Sequence, residues 1–458
     1  MPESPSWREE LEPFVRDEVR VIVDEFATER GGRVDIGVEV DHDDRRVDYM
    51  FAQGQLLVRD EYLPRVLELL EQPTLEELRA RFPARLERVI TGVVLLTLGP
   101  PPGRKRRQPL YVPDAVQAVD DDLGPGIATP DHVLTVAGTV GGCPATEPEE
   151  VYAGIEPFPS VCRDGGGQGV LIYMADTGLL DSPQVGHPWL AGVRAGHRPR
   201  DTDKGEGQNP IPPYTAHGTF VAGVARCLAP QAEVIVTNAF AVAGSTLESR
   251  LVPHLTGALG LGVDIFHLTI AAPSRSDLPL IAFEAWLKLL GQYKGVVCVV
   301  AAGNSGTRRP SWPAAFAEVV SVGALAGDWR SRASFSNHGG WVDVYAPGRD
   351  LVNAYTTGTY KCEVEPYKNQ KRQFYGMAKW SGTSFSTPIV TGLIASRMSR
   401  TGENGQQAAA ALLAEARAQA IPGVGAILLP ECPGDRRPSH TCGCCAAHRP
   451  GHCGCGCG

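Results

Sequence analysis

The chain has no apolar run of eighteen residues, roughly the length a bilayer-spanning helix needs. Its N-terminus, Met1-Pro2-Glu3-Ser4-Pro5-Ser6-Trp7-Arg8-Glu9-Glu10, is charged and carries no hydrophobic segment of the kind found in a secretory leader. Positive charge is not in excess: 43 Lys and Arg stand against 52 Asp and Glu, a formal net charge of −9. That balance argues against nucleic acid or an anionic membrane as the main partner. No internal repeat is visible. The expectation is a cytoplasmic protein whose thiols are reduced, so Cys162, Cys227, Cys298 and Cys362 are expected as packed or surface thiols and not as bridges. What is present is ordinary for a soluble globular protein: 458 residues, 43% hydrophobic and 21% charged, enough for a substantial core and for two or three domains.

Four short segments carry chemistry-bearing side chains at the ends of apolar runs. Val170-Leu171-Ile172-Tyr173-Met174-Ala175 leads into Asp176-Thr177-Gly178, the pattern of a strand buried on both faces of a parallel sheet. Asp176 then falls at the carboxyl end of that strand, where α/β proteins place ligands and chemistry. His217 opens a small-residue helix-like run from Gly218 to Ala225. Val296 to Ala302 reads as a second buried strand running into Gly303-Asn304-Ser305-Gly306. In Trp380-Ser381-Gly382-Thr383-Ser384-Phe385-Ser386-Thr387-Pro388, Ser384 stands at the start of a helix-compatible run that reaches Met398. A helix N-terminus presents unpaired N–H groups and partial positive charge, which favour a developing anion. Each segment taken singly also reads as a turn, a cap or a left-handed Asn. Together they supply a carboxylate, an imidazole, an amide donor and a hydroxyl.

The order Asp176, His217, Ser384, with Asn304 between, resembles the subtilisin-like serine peptidases. The likeness extends to Trp312-Pro313-Ala314, Val319-Val320-Ser321-Val322-Gly323-Ala324, Ala333-Ser334-Phe335-Ser336-Asn337 and Trp341-Val342-Asp343-Val344-Tyr345-Ala346-Pro347-Gly348. It covers about residues 165 to 400. The resemblance implies a three-layer α/β fold on a mostly parallel central sheet, and endopeptidase activity on protein or peptide substrates. It implies that Ser384 is the nucleophile, His217 its base, Asp176 the residue that holds the imidazole, and Asn304 a donor to the oxyanion. No cofactor and no metal enter that chemistry. By the same carry-over, Leu268, Thr269, Ile270 and Ala271 form the edge strand that pairs with substrate backbone. Ala301, Ala302 and Gly303 form the other wall of the pocket for the residue before the scissile bond, and Ser311 lies near its floor. Small walls and a small floor suit an apolar or aromatic side chain, but Ala271 stands where the family usually has Gly, so its methyl narrows the entrance. Trp189 follows His187-Pro188 where relatives often carry an acidic calcium ligand. A tryptophan offers calcium no oxygen, so that site is not expected. Phe220 and Phe385 also replace more usual residues, at positions without chemistry.

The expected organisation is a small N-terminal α/β domain over residues 1–99, a Pro/Gly-rich connecting segment over 100–164, the catalytic domain over 165–426 and a Cys/Gly-rich tail over 427–458. In the first, Leu11, Phe14, Val15, Val19, Ile22 and Val23 approximate one helical face. Gln55 to Val58 and Thr91 to Leu96 read as strands, Leu63 to Glu71 as helix, and Thr74 with Glu77 as a capping box. Two readings of this domain stay open: an intramolecular inhibitor or chaperone, as the family's prodomains are, or a recognition module that stays attached. Pro100 to Arg107 reads as a linker with a basic run, and 109–165 as an ordered but irregular connection. The tail from His440 to Cys457 concentrates Cys and His among Gly, either as a disordered segment or as a zinc-binding tract. Two other functions differ from the leading one: a catalytically silent peptide-binding protein on the same fold, and an unrelated α/β esterase, against which stands the missing Gly-x-Ser-x-Gly elbow around Ser384.

Overall fold

The computed structural model describes residues 7–28, 32–70, 85–98, 112–136, 145–163, 165–196, 207–240 and 243–430. The sequence features at Thr74 and Glu77, Pro100 to Arg107 and the Cys/His tail lie outside the described residues. Seven strands form one sheet in the order Val344–Pro347, Val320–Leu325, Val297–Ala301, Ile265–Leu268, Leu171–Asp176, Glu233–Asn238 and Val193–Ala195. Every neighbouring pair is parallel. Its inner strands are predominantly apolar because helices cover both faces. Ile172, Met174 and Val299 pack with Phe220, Val224, Ile389 and Ile394 of the helices His217–Leu228 and Thr383–Thr401. Tyr173, Ala175, Cys298 and Val300 point the other way, against Leu251, Leu255, Phe283 and Trp286 of Glu248–Ala258 and Ile281–Leu290. The result is the three-layer α/β arrangement that the resemblance implies.

A second, antiparallel sheet is built from the N-terminal residues. Arg46–Arg59 is its long central strand, paired with Ile36–Asp41, Val93–Thr97 and Ala128–Val136, while Arg85–Ile90 pairs with Val93–Thr97. The helix Pro13–Phe26 starts with proline, whose missing N–H is not needed in a first turn. It buries Val15, Val19, Ile22 and Phe26, one stripe at helical spacing, against Met50 and Ala52 of the sheet. The first part of the segment after 109 is not irregular: Val112–Leu123 is a helix and Ala128–Val136 a strand buried at all nine positions, while residues 145–163 form neither helix nor strand. Local sequence missed the strand because its polar residues, Asp131, His132 and Thr135, break the apolar pattern; Asp131 meets Ser249 and His132 Nε2 accepts from the Arg275 N–H, partners more than a hundred residues away.

That strand leaves its own sheet to pair with the catalytic unit. Val133, Leu134 and Thr135 lie antiparallel to Leu247, Thr246 and Ser245, while Thr135 and Val136 lie opposite Ala271 and Ile270. Opposite-side pairs reinforce the junction: Arg59 with Glu284 at 2.6 Å, Arg309 with Asp48 at 2.6 Å, and Lys368 with Asp17 at 2.5 Å.

Cys227, Cys298 and Cys362 are buried free thiols, in line with expectation. Cys162 is disulfide-bonded, which corrects the reading of all four as thiols. Spacing alone does not identify a bridge, because the two sulfurs must be brought together by the fold. Among the described residues no helix is long and apolar enough to cross a membrane.

Candidate active site

Asp176 ends its strand with the side chain fully buried. Its Oδ1 accepts from His217 Nδ1 at 2.7 Å and from the Thr177 N–H at 2.7 Å, and its Oδ2 accepts from the Thr269 hydroxyl at 2.7 Å. Burial alone would raise the pKa of this carboxyl. The charge of His217, with the hydrogen bonds from His217, Thr269 and Thr177, outweighs burial and holds it below the ordinary value. Asp176 is therefore an anion with no spare oxygen, fixed on three sides.

His217 is the first residue of its helix and sits beside Asp176 because Gly218 allows the helix to approach the strand. A Cβ on Gly218 would lie 2.4 Å from the Gly178 carbonyl and 3.1 Å from Asp176 Oδ1. The Gly218 N–H instead donates to Thr177 Oγ1 at 3.1 Å. With Nδ1 on Asp176, the outer nitrogen Nε2 is buried without a partner. Aromatic rings surround the imidazole, Phe385 at 5.4 Å and the edge of Trp380 at 5.6 Å.

Ser384 lies in the first turn of Thr383–Thr401, preceded by Gly382 and followed at the other end by left-handed Gly402. Its Oγ is buried and unpartnered. Its neighbour Thr383 organises Asn304: both the Thr383 N–H, at 2.9 Å, and its hydroxyl, at 3.0 Å, donate to Asn304 Oδ1. That same hydroxyl accepts from the Gly303 N–H at 3.1 Å. With Oδ1 so engaged, the amide is oriented by its hydrogen bonds, and Nδ2 is the atom left free and buried. The fold thus brings Asp176, His217, Asn304 and Ser384, which span more than two hundred residues of sequence, into one buried cluster.

Leu268 ends the central strand of the parallel sheet between Ala175 and Val300, and the chain continues through Thr269 to Ile270 and Ala271, which pair with Val136 and Thr135, with Ala271 fully buried. Thr269 does more than line a cleft, since its hydroxyl holds Asp176. Gly303 faces Ala271 and Ser311, and Ser311 is held there because Trp312 exchanges backbone hydrogen bonds with Ala272, both at 2.8 Å, while Ala301 and Ala302 are held to the neighbouring strand at Val322. Sequence reasoning did not assign roles to Thr177, Thr269 as a donor to Asp176, or Thr383. Only Thr383 had a local signal, its place beside Ser384. His267 was also missed: it is fully buried, its Nδ1 lies 2.8 Å from Thr391 Oγ1, and burial pushes its pKa down to about 3, so it is neutral.

The subtilase family, peptidase S8, matches residues 167–424, more than half of the chain. An intracellular serine protease of Paenibacillus polymyxa is 30% identical over 263 residues, covering 54% of this chain and 72% of that one. Thermitase of Thermoactinomyces vulgaris is 30% identical over 270 residues, covering 57% of this chain and 84% of its own length. Among solved structures, a cold-adapted subtilisin-like serine proteinase matches at 21% identity with a TM-score of 0.45, over 58% of this chain and 91% of that one. The matched region contains the parallel sheet and all four clustered residues, and the chain belongs to the subtilase family as a subtilisin-like serine endopeptidase.

Proposed function

We propose that Ser384, His217 and Asp176 are the catalytic triad of this endopeptidase and that Asn304 completes its oxyanion hole. The observation that carries this reading is the set of three unpartnered buried atoms, His217 Nε2, Ser384 Oγ and Asn304 Nδ2, beside an Asp176 whose oxygens are fully engaged. Buried polar atoms without partners are expensive to maintain, and they cluster where a ligand or reacting group completes them.

In the reaction, Ser384 Oγ attacks the scissile carbonyl carbon while its proton passes to His217 Nε2. The carbonyl π electrons move to oxygen, and the resulting anion accepts from Asn304 Nδ2 and from the Ser384 N–H in the first helical turn. Asp176 stabilises the imidazolium without taking its proton. The intermediate collapses as His217 gives that proton to the leaving amine, which leaves an acyl-enzyme on Ser384. Water then adds with His217 again as base, releasing the acid and restoring the hydroxyl.

The same site supports reading the N-terminal unit as an intramolecular inhibitor in preference to a passive recognition module. Residues 133–136 lie between two catalytic-unit segments, 245–247 and 270–271, as an extended peptide substrate would. The Val136 N–H donates to the Gly244 carbonyl at 2.8 Å. While this strand is seated, a peptide substrate has no free edge to pair with. We take the unit to extend to residue 136, past the boundary at 99 suggested by sequence.

The test combines fluorophosphonate labelling with intact mass of the wild type and Ser384→Ala. Labelling of wild type alone, with an N-terminal fragment released only from wild type, is the expected result. Equal labelling of the two proteins removes Ser384 from the mechanism, and high peptidase activity in the uncut chain removes the inhibitor role.

A further inference from the structure

The two walls that face each other beyond Ser384 are too close for a large side chain. Gly303 has φ +98°, and a Cβ built there would lie 3.2 Å from the Ala271 methyl and 3.4 Å from Ser311 Oγ. With a Cα–Cβ bond of about 1.5 Å, the Gly303 α-carbon is itself within about 5 Å of that methyl. An inserted ring makes contact at about 3.5–4 Å on each face, so it needs walls roughly 7 Å apart. An aromatic side chain does not pass between Ala271 and Gly303. Neither wall gives way easily. Ala271 is fully buried and paired with Thr135 on one side, and its neighbour Ala272 is held by two hydrogen bonds to Trp312. On the same side of Gly303 as the Ala271 methyl, the Asn337 amide nitrogen would lie 2.6 Å from a Cβ built at Gly303; that amide donates to the Ala302 carbonyl at 2.9 Å and accepts from the Ser305 N–H at 3.0 Å, so it too is fixed.

Building on the triad reading above, we propose that Ala271 and Ser311 restrict this endopeptidase to cleavage after small residues: glycine, alanine or serine. Ala271 blocks the space between the walls and Ser311 closes it from below, where its hydroxyl also offers a polar contact suited to a serine side chain. The chain's own sequence agrees in size: after Val136 it continues Ala137-Gly138-Thr139, with no bulky residue before Val140. The strand that lies along the substrate edge is therefore followed by residues such a pocket accepts.

The test uses the wild type and variant after self-processing has released the N-terminal strand from the substrate edge, as read by intact mass, and two covalent probes, diphenyl phosphonates built on Leu-Thr-Val, the sequence of residues 134–136, with either the alanine or the phenylalanine analogue in the reactive position. A pocket change of one carbon shifts selectivity by roughly 10–200-fold, so the alanine probe should inactivate the wild type at least about 100-fold faster. Ala271→Gly should shrink that ratio by about tenfold or more, chiefly through faster reaction with the phenylalanine probe. A wild type that prefers the phenylalanine probe, or a ratio unmoved by Ala271→Gly, overturns the proposal. So does failure of both probes where a small fluorophosphonate still labels Ser384, because the pocket would then refuse even a methyl. If the fluorophosphonate fails as well, it is the triad reading that falls.

Discussion

Asp131 gives the seated N-terminal strand a pH dependence that can be worked through. It lies on Ala128–Val136, fully buried, and accepts from the Ser249 N–H at 3.0 Å and the Ser249 hydroxyl at 2.6 Å at the start of Glu248–Ala258. Burial raises its pKa from 3.8 to about 7. The Ser249 hydrogen bonds and the Arg250 charge oppose this, and the Glu248 charge adds to it. In the opened or unfolded chain the carboxyl returns to its ordinary value. Below pH 4 the group is protonated in both states and carries no penalty. Between pH 4 and 7 the folded state keeps a proton that the opened state has lost, so stability falls as pH rises. Above pH 7 the penalty is complete, about 4 kcal/mol at 1.36 kcal/mol per unit. Of this, about 3 kcal/mol develops between pH 5 and pH 8. Asparagine keeps an acceptor for the Ser249 N–H but never ionises. In a Ser384→Ala background, which prevents self-digestion, Asp131→Asn should therefore gain stability relative to its parent as pH rises from 5 to 8. At about 2–4 °C per kcal/mol, the gap in apparent Tm should widen by roughly 6–12 °C. Thermal unfolding followed by fluorescence at both pH values measures it. Two parallel Tm-versus-pH curves would show that Asp131 does not hold the strand in this way.

Three further outcomes test the site. Asn304→Ala should lower kcat by about 10²–10³ with little change in KM, the range set by removing this donor from a related subtilisin, in steady-state kinetics on a peptide substrate. Thr269→Val removes the hydroxyl on Asp176 Oδ2, a hydrogen bond to a charged group of about 1.5–3 kcal/mol. Losing that donor to the ionised carboxylate weakens the hold of Asp176 on His217, so kcat/KM should fall by about 10–100-fold, read in steady-state kinetics on a peptide substrate. Gly218→Ala drives a methyl against the Gly178 carbonyl and should reduce stability by about 1–3 kcal/mol, with loss of peptidase activity as His217 is displaced from Asp176. Denaturant unfolding and activity measured on the same sample check both halves.

Local sequence was enough for the parts that depend on near neighbours. The continuous apolar runs ending at Asp176 and Ala301 reveal doubly buried strands, because a strand covered on both faces has no polar alternation to show. The spacing 15, 19, 22 marks the N-terminal helix. Asp176, His217, Asn304 and Ser384 stand out because each sits where an apolar element meets a Gly- or Thr-containing turn. The tertiary structure alone decides what depends on distant partners. Thr135 meets Ala271 across more than a hundred residues, and a strand's period of two records which side chains share a face, never which strand lies alongside. Thr269 looks like any strand threonine until the fold sets its hydroxyl on Asp176. Asp131 looks like a surface carboxylate until the Ser249 helix buries it. Cys162 looks like a reduced thiol until a second sulfur is brought within reach. Ala271 is placed on the pocket wall by the resemblance already, and the tertiary structure adds how close the walls stand: its methyl lies 3.2 Å from the Cβ position of Gly303. Composition and periodicity encode burial; the distances between walls, donors and acceptors come from long-range packing.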